Sequence, residues 1–289
     1  MASLIAKLVP ENLAQEQAKF LANTSYNPQF TYREPVTAAQ LLQYGLPDKE
    51  LASLAAKKVA NYVHKRHEID GEPVSREQMS KYFERLFKRL QLPSIALIFD
   101  AKQLTSAKMC YQPEPALSTK RQFSLERWEN LLDHEIQTHY LIHLNEHRKF
   151  LGTEEGEGLA VINSYRSRSD KTLWKSWLLY YSVDLALRYS FSETFLKLRP
   201  HFTNDVSTFK AVLRVKRGLT DTSKPGAFTK DLFYISGFVK VASWILNGGD
   251  PRQLYQGRRT EPIYPTFFQD MARYRRQVEL LWAANMDKP

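Results

Sequence analysis

Helical periodicity dominates the chain: apolar residues recur every three or four positions over most of its length, with one short stretch of period two. Residues 11–22 read as a short helix, followed by an irregular stretch to Pro35. Residues 51–67 read as a second helix, which Asp70-Gly71-Glu72-Pro73 breaks. Ser75 and Gln78 form a capping-box pattern, and the helix they open carries Met79, Tyr82, Phe83, Leu86, Phe87 and Leu90 as an apolar stripe for the core. The pattern then changes. Residues 95–99 read as a strand, Ala107, Met109 and Tyr111 alternate with polar neighbours as a second, and Pro113 and Pro115 end it before a third over residues 117–122. Helical spacing resumes over residues 125–149, with Ser124 as N-cap and Leu125, Trp128, Leu131, Leu132 and Ile136 along one face. Leu151-Gly152 supplies a turn into a helix over residues 154–162, and residues 172–198 and 232–246 add long helices. The expected fold class is α+β, mostly helical, with a small sheet directly before the helix at residue 125.

Composition narrows the setting. At 289 residues, 43% of them hydrophobic and 12% aromatic, the chain can bury a substantial core as one large domain or two intimate lobes. The single Cys110 excludes an intramolecular disulfide and fits a reducing, cytoplasmic compartment. The apolar stretch of the first eight residues is too brief for a signal-peptide core, and the run over residues 177–187, interrupted by Asp184, reads as a buried helix and not a membrane span. Lysine and arginine outnumber aspartate and glutamate by 41 to 31, and the net charge of +10 draws in acidic partners. Nucleic acid is not the expected partner, because the basic residues are scattered in small groups such as Arg258-Arg259 and Arg275-Arg276, with no zinc-finger spacing or RNA-binding motif.

The chemistry concentrates in His134-Glu135-Ile136-Gln137-Thr138-His139, followed 18 residues after the second histidine by Glu157 in an acidic cluster. Two imidazoles, a carboxylate beside the first and a later acidic group are the parts of a catalytic zinc site, which keeps one coordination position open for water. The histidines stand five residues apart, however, whereas the familiar zinc-peptidase helix separates them by four. In a regular helix that spacing turns the second ring about 140° from the first, and two rings so placed cannot share an ion. A π-bulge absorbing one residue restores a common side, so the spacing predicts a helix distortion between His134 and His139. His139 with His143, and His143 with His147, have the simpler spacing but no glutamate after the first histidine. His64 and His67 lie in a basic stretch and read as solvated, and His201 follows Pro200 without an evident partner.

With Glu157-Gly158-Leu159-Ala160, Arg214-Val215-Lys216-Arg217-Gly218-Leu219 and Phe228-Thr229-Lys230-Asp231 followed by Tyr234 and Gly237, the histidine motif resembles the successive motifs of the tyrosine carboxypeptidase family. Microtubule-associated tyrosine carboxypeptidases belong to that family, as do bacterial proteins. The resemblance runs from about Phe30 to about Arg258. It implies a zincin-like zinc metallocarboxypeptidase over residues 30–289, with residues 1–29 as an N-terminal helical extension. The activity implied is release of a C-terminal tyrosine or phenylalanine from a protein or peptide tail, and the implied partner is an acidic tail.

Carried onto this sequence, the resemblance makes His134, His139 and Glu157 the zinc ligands and Glu135 the general base. The family runs Thr-(Glu or Gln)-Glu-Gly-Leu-Ala, whereas two extra residues stand here between Thr153 and Gly158-Leu159-Ala160. Anchoring on Gly-Leu-Ala selects Glu157, and anchoring on the threonine selects Glu155. Arg214, Arg217 and Lys230 are the candidates for the substrate carboxylate, which a planar guanidinium binds with two hydrogen bonds at once. Arg166 and Arg168 are weaker alternatives. Tyr234 is the candidate phenol for the oxyanion. Two other classes fit the same residues: a dipeptidyl peptidase or aminopeptidase, since dipeptidyl-peptidase III enzymes share the five-residue spacing, and a basic binding protein without catalysis.

Overall fold

Side-chain caps set where several of the helices begin. Ser75 accepts a hydrogen bond from the Gln78 amide while the Gln78 side chain returns to the Ser75 amide, opening the helix Arg76–Arg89 as its capping box predicts. Thr37 and Ser190 do the same for Ala38–Leu42 and Phe191–Leu198, and Thr153 caps Glu154–Tyr165. The computed structural model describes residues 4–61, 72–100, 107–111 and 115–286. His64, His67, Asp70, Gly71 and Pro113 lie outside the described residues.

The chain forms two units, one built from residues 1–66 and 174–235, the other from 67–173 and 236–289. In the first, the helices Leu13–Ala22, Lys49–Ala60, Trp174–Arg188, Phe191–Leu198 and Asp205–Lys216 surround an aromatic core. Phe20 meets Phe191, Phe195 and Phe209 at ring separations of 5.0, 4.8 and 5.4 Å, within the range where edge-on rings attract. The single helix expected over residues 172–198 is two helices, because Ser190 leaves helical geometry to cap the second through Glu193. Lys216 is fully buried and its ammonium donates to the carbonyls of Ala186 at 3.0 Å, Tyr189 at 2.5 Å and Lys224 at 3.0 Å. It thereby fills acceptors that the end of Trp174–Arg188 leaves open.

The second unit holds the sheet and the histidine motif. Strands β1 (Ala96–Phe99), β2 (Ala107–Cys110) and β3 (Ala116–Thr119) lie in the order β1-β3-β2, with β1 parallel and β2 antiparallel to β3. β3 is central and wholly buried, and β2 is an outer strand in which Met109 faces Leu117. The fold is therefore α+β, with the small sheet ahead of the histidine helix.

That helix runs continuously through residues 125–144 in three pieces: α-helix Leu125–His134, a π-helical turn Glu135–Tyr140, and α-helix Leu141–Leu144. Trp128, fully buried, donates from its indole to the Met79 carbonyl at 3.1 Å and ties the helix to Arg76–Arg89. The expected extension to residue 149 does not form. Asn145 exchanges two 2.8 Å hydrogen bonds with the backbone of Ile263, and Glu146 takes a left-handed φ of 59°, which turns the chain out of the helix. The helix Glu154–Tyr165 folds back against the histidine helix. Its Gly158 meets Gly237 on Phe233–Leu246, a helix that begins in the first unit and continues into the second; a β-carbon on Gly158 would lie 2.0 Å from the Gly237 carbonyl carbon. Only glycine permits that crossing.

Candidate metal centre

The π-turn brings the two histidines to one side. Their ring centroids lie 5.0 Å apart, and the Glu157 carboxylate, from the facing helix, stands 3.9 Å from His134 Nε2 and 3.7 Å from His139 Nε2. One ligand atom from each of the three residues falls within 4.8 Å of the others, the one such His/Asp/Glu/Cys group among the described residues. Donors bonded at about 2.0–2.2 Å to a tetrahedral zinc sit roughly 3.3–3.6 Å from one another. The two carboxylate–imidazole distances exceed that range by only a few tenths of an ångström, so Glu157 can share an ion with either ring, and two imidazoles with one carboxylate form a three-ligand set that leaves a position open.

Electrostatics prepare the set. Burial, followed by the neighbouring His139, lowers the His134 pKa against the pull of Glu135 and Glu157, so the imidazole is neutral and its lone pair is available. His134 also bonds the Ala160 backbone, which fixes the ring's orientation from behind. Glu135 accepts a 3.2 Å hydrogen bond from the Met109 amide, so the amide of the outer strand restrains the carboxylate beside the first histidine. This bond also shows that Met109 directs its amide away from β3. Tyr111, just past β2, packs against His143 with tilted rings 4.4 Å apart, and burial together with the charges of Glu135 and Glu157 raises its pKa. Its phenol is thus a neutral donor near both carboxylates, a neighbour the sequence revealed only as the last step of an alternating strand.

The alternative third ligand is engaged elsewhere: Glu155 pairs with Lys240, which also lies 3.6 Å from Glu154. His143 packs between aromatic rings, and His147 stacks on Phe150 at 5.1 Å. Arg166 is likewise committed, donating to Asp133 at 2.9 Å with its guanidinium 3.7 Å from the Phe267 ring centroid, while Arg168 lies 3.6 Å from Glu126 and over Tyr165.

Comparison with known proteins matches residues 37–267 to the family described as Microtubule-associated tyrosine carboxypeptidase. The chain belongs to the microtubule-associated tyrosine carboxypeptidase family. It is 28% identical to Microtubule-associated tyrosine carboxypeptidase 1 of Homo sapiens over 320 aligned positions, covering 98% of this chain and 68% of the human protein. The proteins of the same name from Mus musculus and Rattus norvegicus are 28% and 27% identical over the same shares.

Gly237 apart, the remaining residues through which the sequence resembles this family lie in the first unit. Arg214 binds Asp231 through two hydrogen bonds, 2.6 Å from Nε and 2.8 Å from a terminal nitrogen, and also meets Tyr234. Burial opposes the Arg214 charge, yet Asp231 and Tyr234 outweigh it and raise the pKa. Arg217 differs: its guanidinium lies 4.7 Å from the Phe228 ring centroid, and its buried Nε has no hydrogen-bond partner among the described residues. Burial, with Arg214 beside it, lowers its pKa against the pull of Asp231. Tyr44 sets its ring edge-on to Phe228 and Phe233, at 5.4 and 5.2 Å. Lys230 is half-buried in the 3₁₀ turn Thr229–Leu232.

Proposed function

We propose that this chain is a zinc metallocarboxypeptidase that hydrolyses the last peptide bond of a protein or peptide tail and releases a C-terminal tyrosine or phenylalanine. The convergence of His134, His139 and Glu157 from two helices, with Glu135 beside the first ligand, carries the reading. Membership of the tyrosine carboxypeptidase family supplies the direction of attack.

His134, His139 and Glu157 would hold a zinc ion, which when bound would supply Lewis acidity and a water of pKa about 7. Glu135, restrained by the Met109 amide, accepts the attacking water's proton and returns it to the leaving amine. Tyr234 donates to the developing oxyanion, a contribution of about 2.7–4 kcal/mol per donor in protease examples. Arg217 binds the substrate's terminal carboxylate, its Nε having no acceptor among the described residues, while Asp231 orients Arg214 beside it and Lys230 adds charge. The net charge of +10 steers an acidic tail toward the enzyme. On this reading residues 30–289 form the catalytic body and residues 1–29 an N-terminal extension. A cytoplasmic setting suits a chain with one cysteine, and no described helix is long and apolar enough to cross a membrane.

The test is mass spectrometry of a peptide library incubated with the wild type and Glu135→Gln. Loss of one C-terminal tyrosine or phenylalanine in the wild type, and its disappearance in a variant that keeps its zinc, is expected. Cleavage only from free N-termini would favour an aminopeptidase or dipeptidyl peptidase. No cleavage, with zinc saturated by four protein ligands, would favour a binding protein.

A further inference from the structure

The π-turn is gripped from behind by a closed set of buried side chains. Thr138 turns its hydroxyl back to the Asp133 carbonyl, 2.7 Å away and five residues earlier. Tyr255 donates to the Gln137 carbonyl at 2.8 Å. Asn163, fully buried, uses one amide hydrogen on the Thr138 hydroxyl at 2.9 Å and the other on the Tyr255 hydroxyl at 2.8 Å. Its remaining oxygen accepts from Tyr274 at 2.9 Å. Gln137 is held as well, donating to Asp133 at 2.5 Å and accepting from the Thr266 amide and hydroxyl at 2.9 and 2.8 Å.

The donors and acceptors match without remainder. An asparagine side chain carries two N–H donors and one carbonyl, and all are engaged here. Each hydroxyl has a single hydrogen, already directed at a backbone carbonyl for Thr138 and Tyr255, so both can only accept from Asn163. A side chain of the same shape without the amide hydrogens cannot replace it. Asn163 also shares the helix Glu154–Tyr165 with Glu157, so one rigid element both presents the third candidate ligand and grasps the turn between the first two. The extra residue of the π-turn sets the angle between His134 and His139, and the network touches that turn at Gln137 and Thr138.

We propose that Asn163, Tyr255 and Tyr274 are positioning residues for the metal centre, fixing the register of the π-turn so that both imidazoles and Glu157 face one ion. The inference rests on the zinc-centre reading. Such groups behind the ligands typically control metal affinity about ten- to a hundredfold.

The experiment compares wild type, Tyr255→Phe, Asn163→Asp and Tyr274→Phe in three measurements: zinc affinity by chelator competition, the visible spectrum of the cobalt(II)-substituted protein, and amide hydrogen exchange of residues 135–140 in the metal-free protein. Tyr255→Phe and Asn163→Asp should bind zinc about ten- to a hundredfold more weakly, with an altered cobalt spectrum and faster exchange confined to the turn. Tyr274→Phe, one bond further away, should shift the same quantities less. Tyr180→Phe, which loses a 2.8 Å bond to the Asp48 amide in the first unit, should leave all three unchanged. Wild-type zinc affinity and an unchanged cobalt spectrum in Tyr255→Phe would overturn the proposal, and this variant decides alone if Asn163→Asp does not fold. A wild type that takes up no zinc would overturn the metal-centre reading and this inference with it; a zinc-binding wild type beside equally good variants would overturn only the inference.

Discussion

Replacing Gly158 by alanine sets local helix preference against packing. Gly158 lies inside the helix Glu154–Tyr165, where alanine is favoured over glycine by about 0.8–1.0 kcal/mol. The added β-carbon, however, would stand 2.0 Å from the carbonyl carbon, 2.2 Å from the oxygen and 2.6 Å from the α-carbon of Gly237. These are backbone atoms and cannot rotate away. Carbon atoms rest about 3.5 Å apart or more, so the two helices must separate by roughly 1.5 Å. Overpacking of this kind typically costs about 1–3 kcal/mol, enough to cancel or reverse the propensity gain. Glu157 precedes the substituted residue, and its carboxylate stands 3.7 and 3.9 Å from the two imidazole nitrogens. A shift of that size takes it beyond reach of an ion bonded at about 2.0–2.2 Å. Zinc affinity should fall at least tenfold, and turnover should drop on the order of a hundredfold, as ångström misplacements of catalytic groups do. Zinc titration against a chelator, peptide turnover at saturating zinc, and urea unfolding of the metal-free protein measure the three effects. A Gly158→Ala protein more stable by about 1 kcal/mol, with wild-type zinc affinity, would refute the close crossing and the role assigned to it.

Two further expectations come from the first unit. Arg217→Lys keeps the charge but loses the planar fork, so KM for peptides with a free C-terminus should rise about tenfold or more with little change in kcat, measured on tyrosine-ended peptides; an unchanged KM would assign the carboxylate to another residue. Burial lowers Lys216 to about 8, so between pH 8 and about 10.5 the unfolded chain holds a proton that the folded chain lacks. Stability should therefore rise with pH across that window, by at most about 3 kcal/mol because three carbonyls favour the charged form. Urea midpoints at pH 7.5 and 9.5 test the sign, and Lys216→Met should abolish the slope; a wild-type midpoint that falls with pH would refute it.

How far these features could be read from sequence depended on whether their causes are local. The five-residue interval between His134 and His139 demanded an irregular turn if the rings were to share an ion, and the π-turn Glu135–Tyr140 is there. Ser75 with Gln78 announced a helix start because both halves of the cap lie within one turn. Ser190 and Glu193 carry the same signature, but an apolar pattern running through them concealed the break. The choice between Glu155 and Glu157 had no local solution. Lys240, far along the chain, engages the first, and the Gly158–Gly237 crossing presents the second to the imidazoles. The end of the histidine helix was hidden for a similar reason, since Ile263 supplies the partners that stop it at Asn145. Nothing near Tyr255 or Tyr274 in the sequence distinguishes them from other core aromatics.

The π-turn also constrains how the chain can change. Deleting one residue, Thr138 for instance, would convert the motif to the four-residue interval of an ordinary α-helix and still leave both rings on one side. Because the wider turn absorbs its extra residue, the helix downstream would keep its rotational phase, with Leu141 and Ile142 still enclosed and Tyr140 still against Phe87. What the deletion would remove is the Thr138 hydroxyl, which bridges the Asp133 carbonyl and the Asn163 amide. A lineage shedding the insertion would thus leave the hydrophobic wall intact and have to rebuild the polar clasp behind the imidazoles.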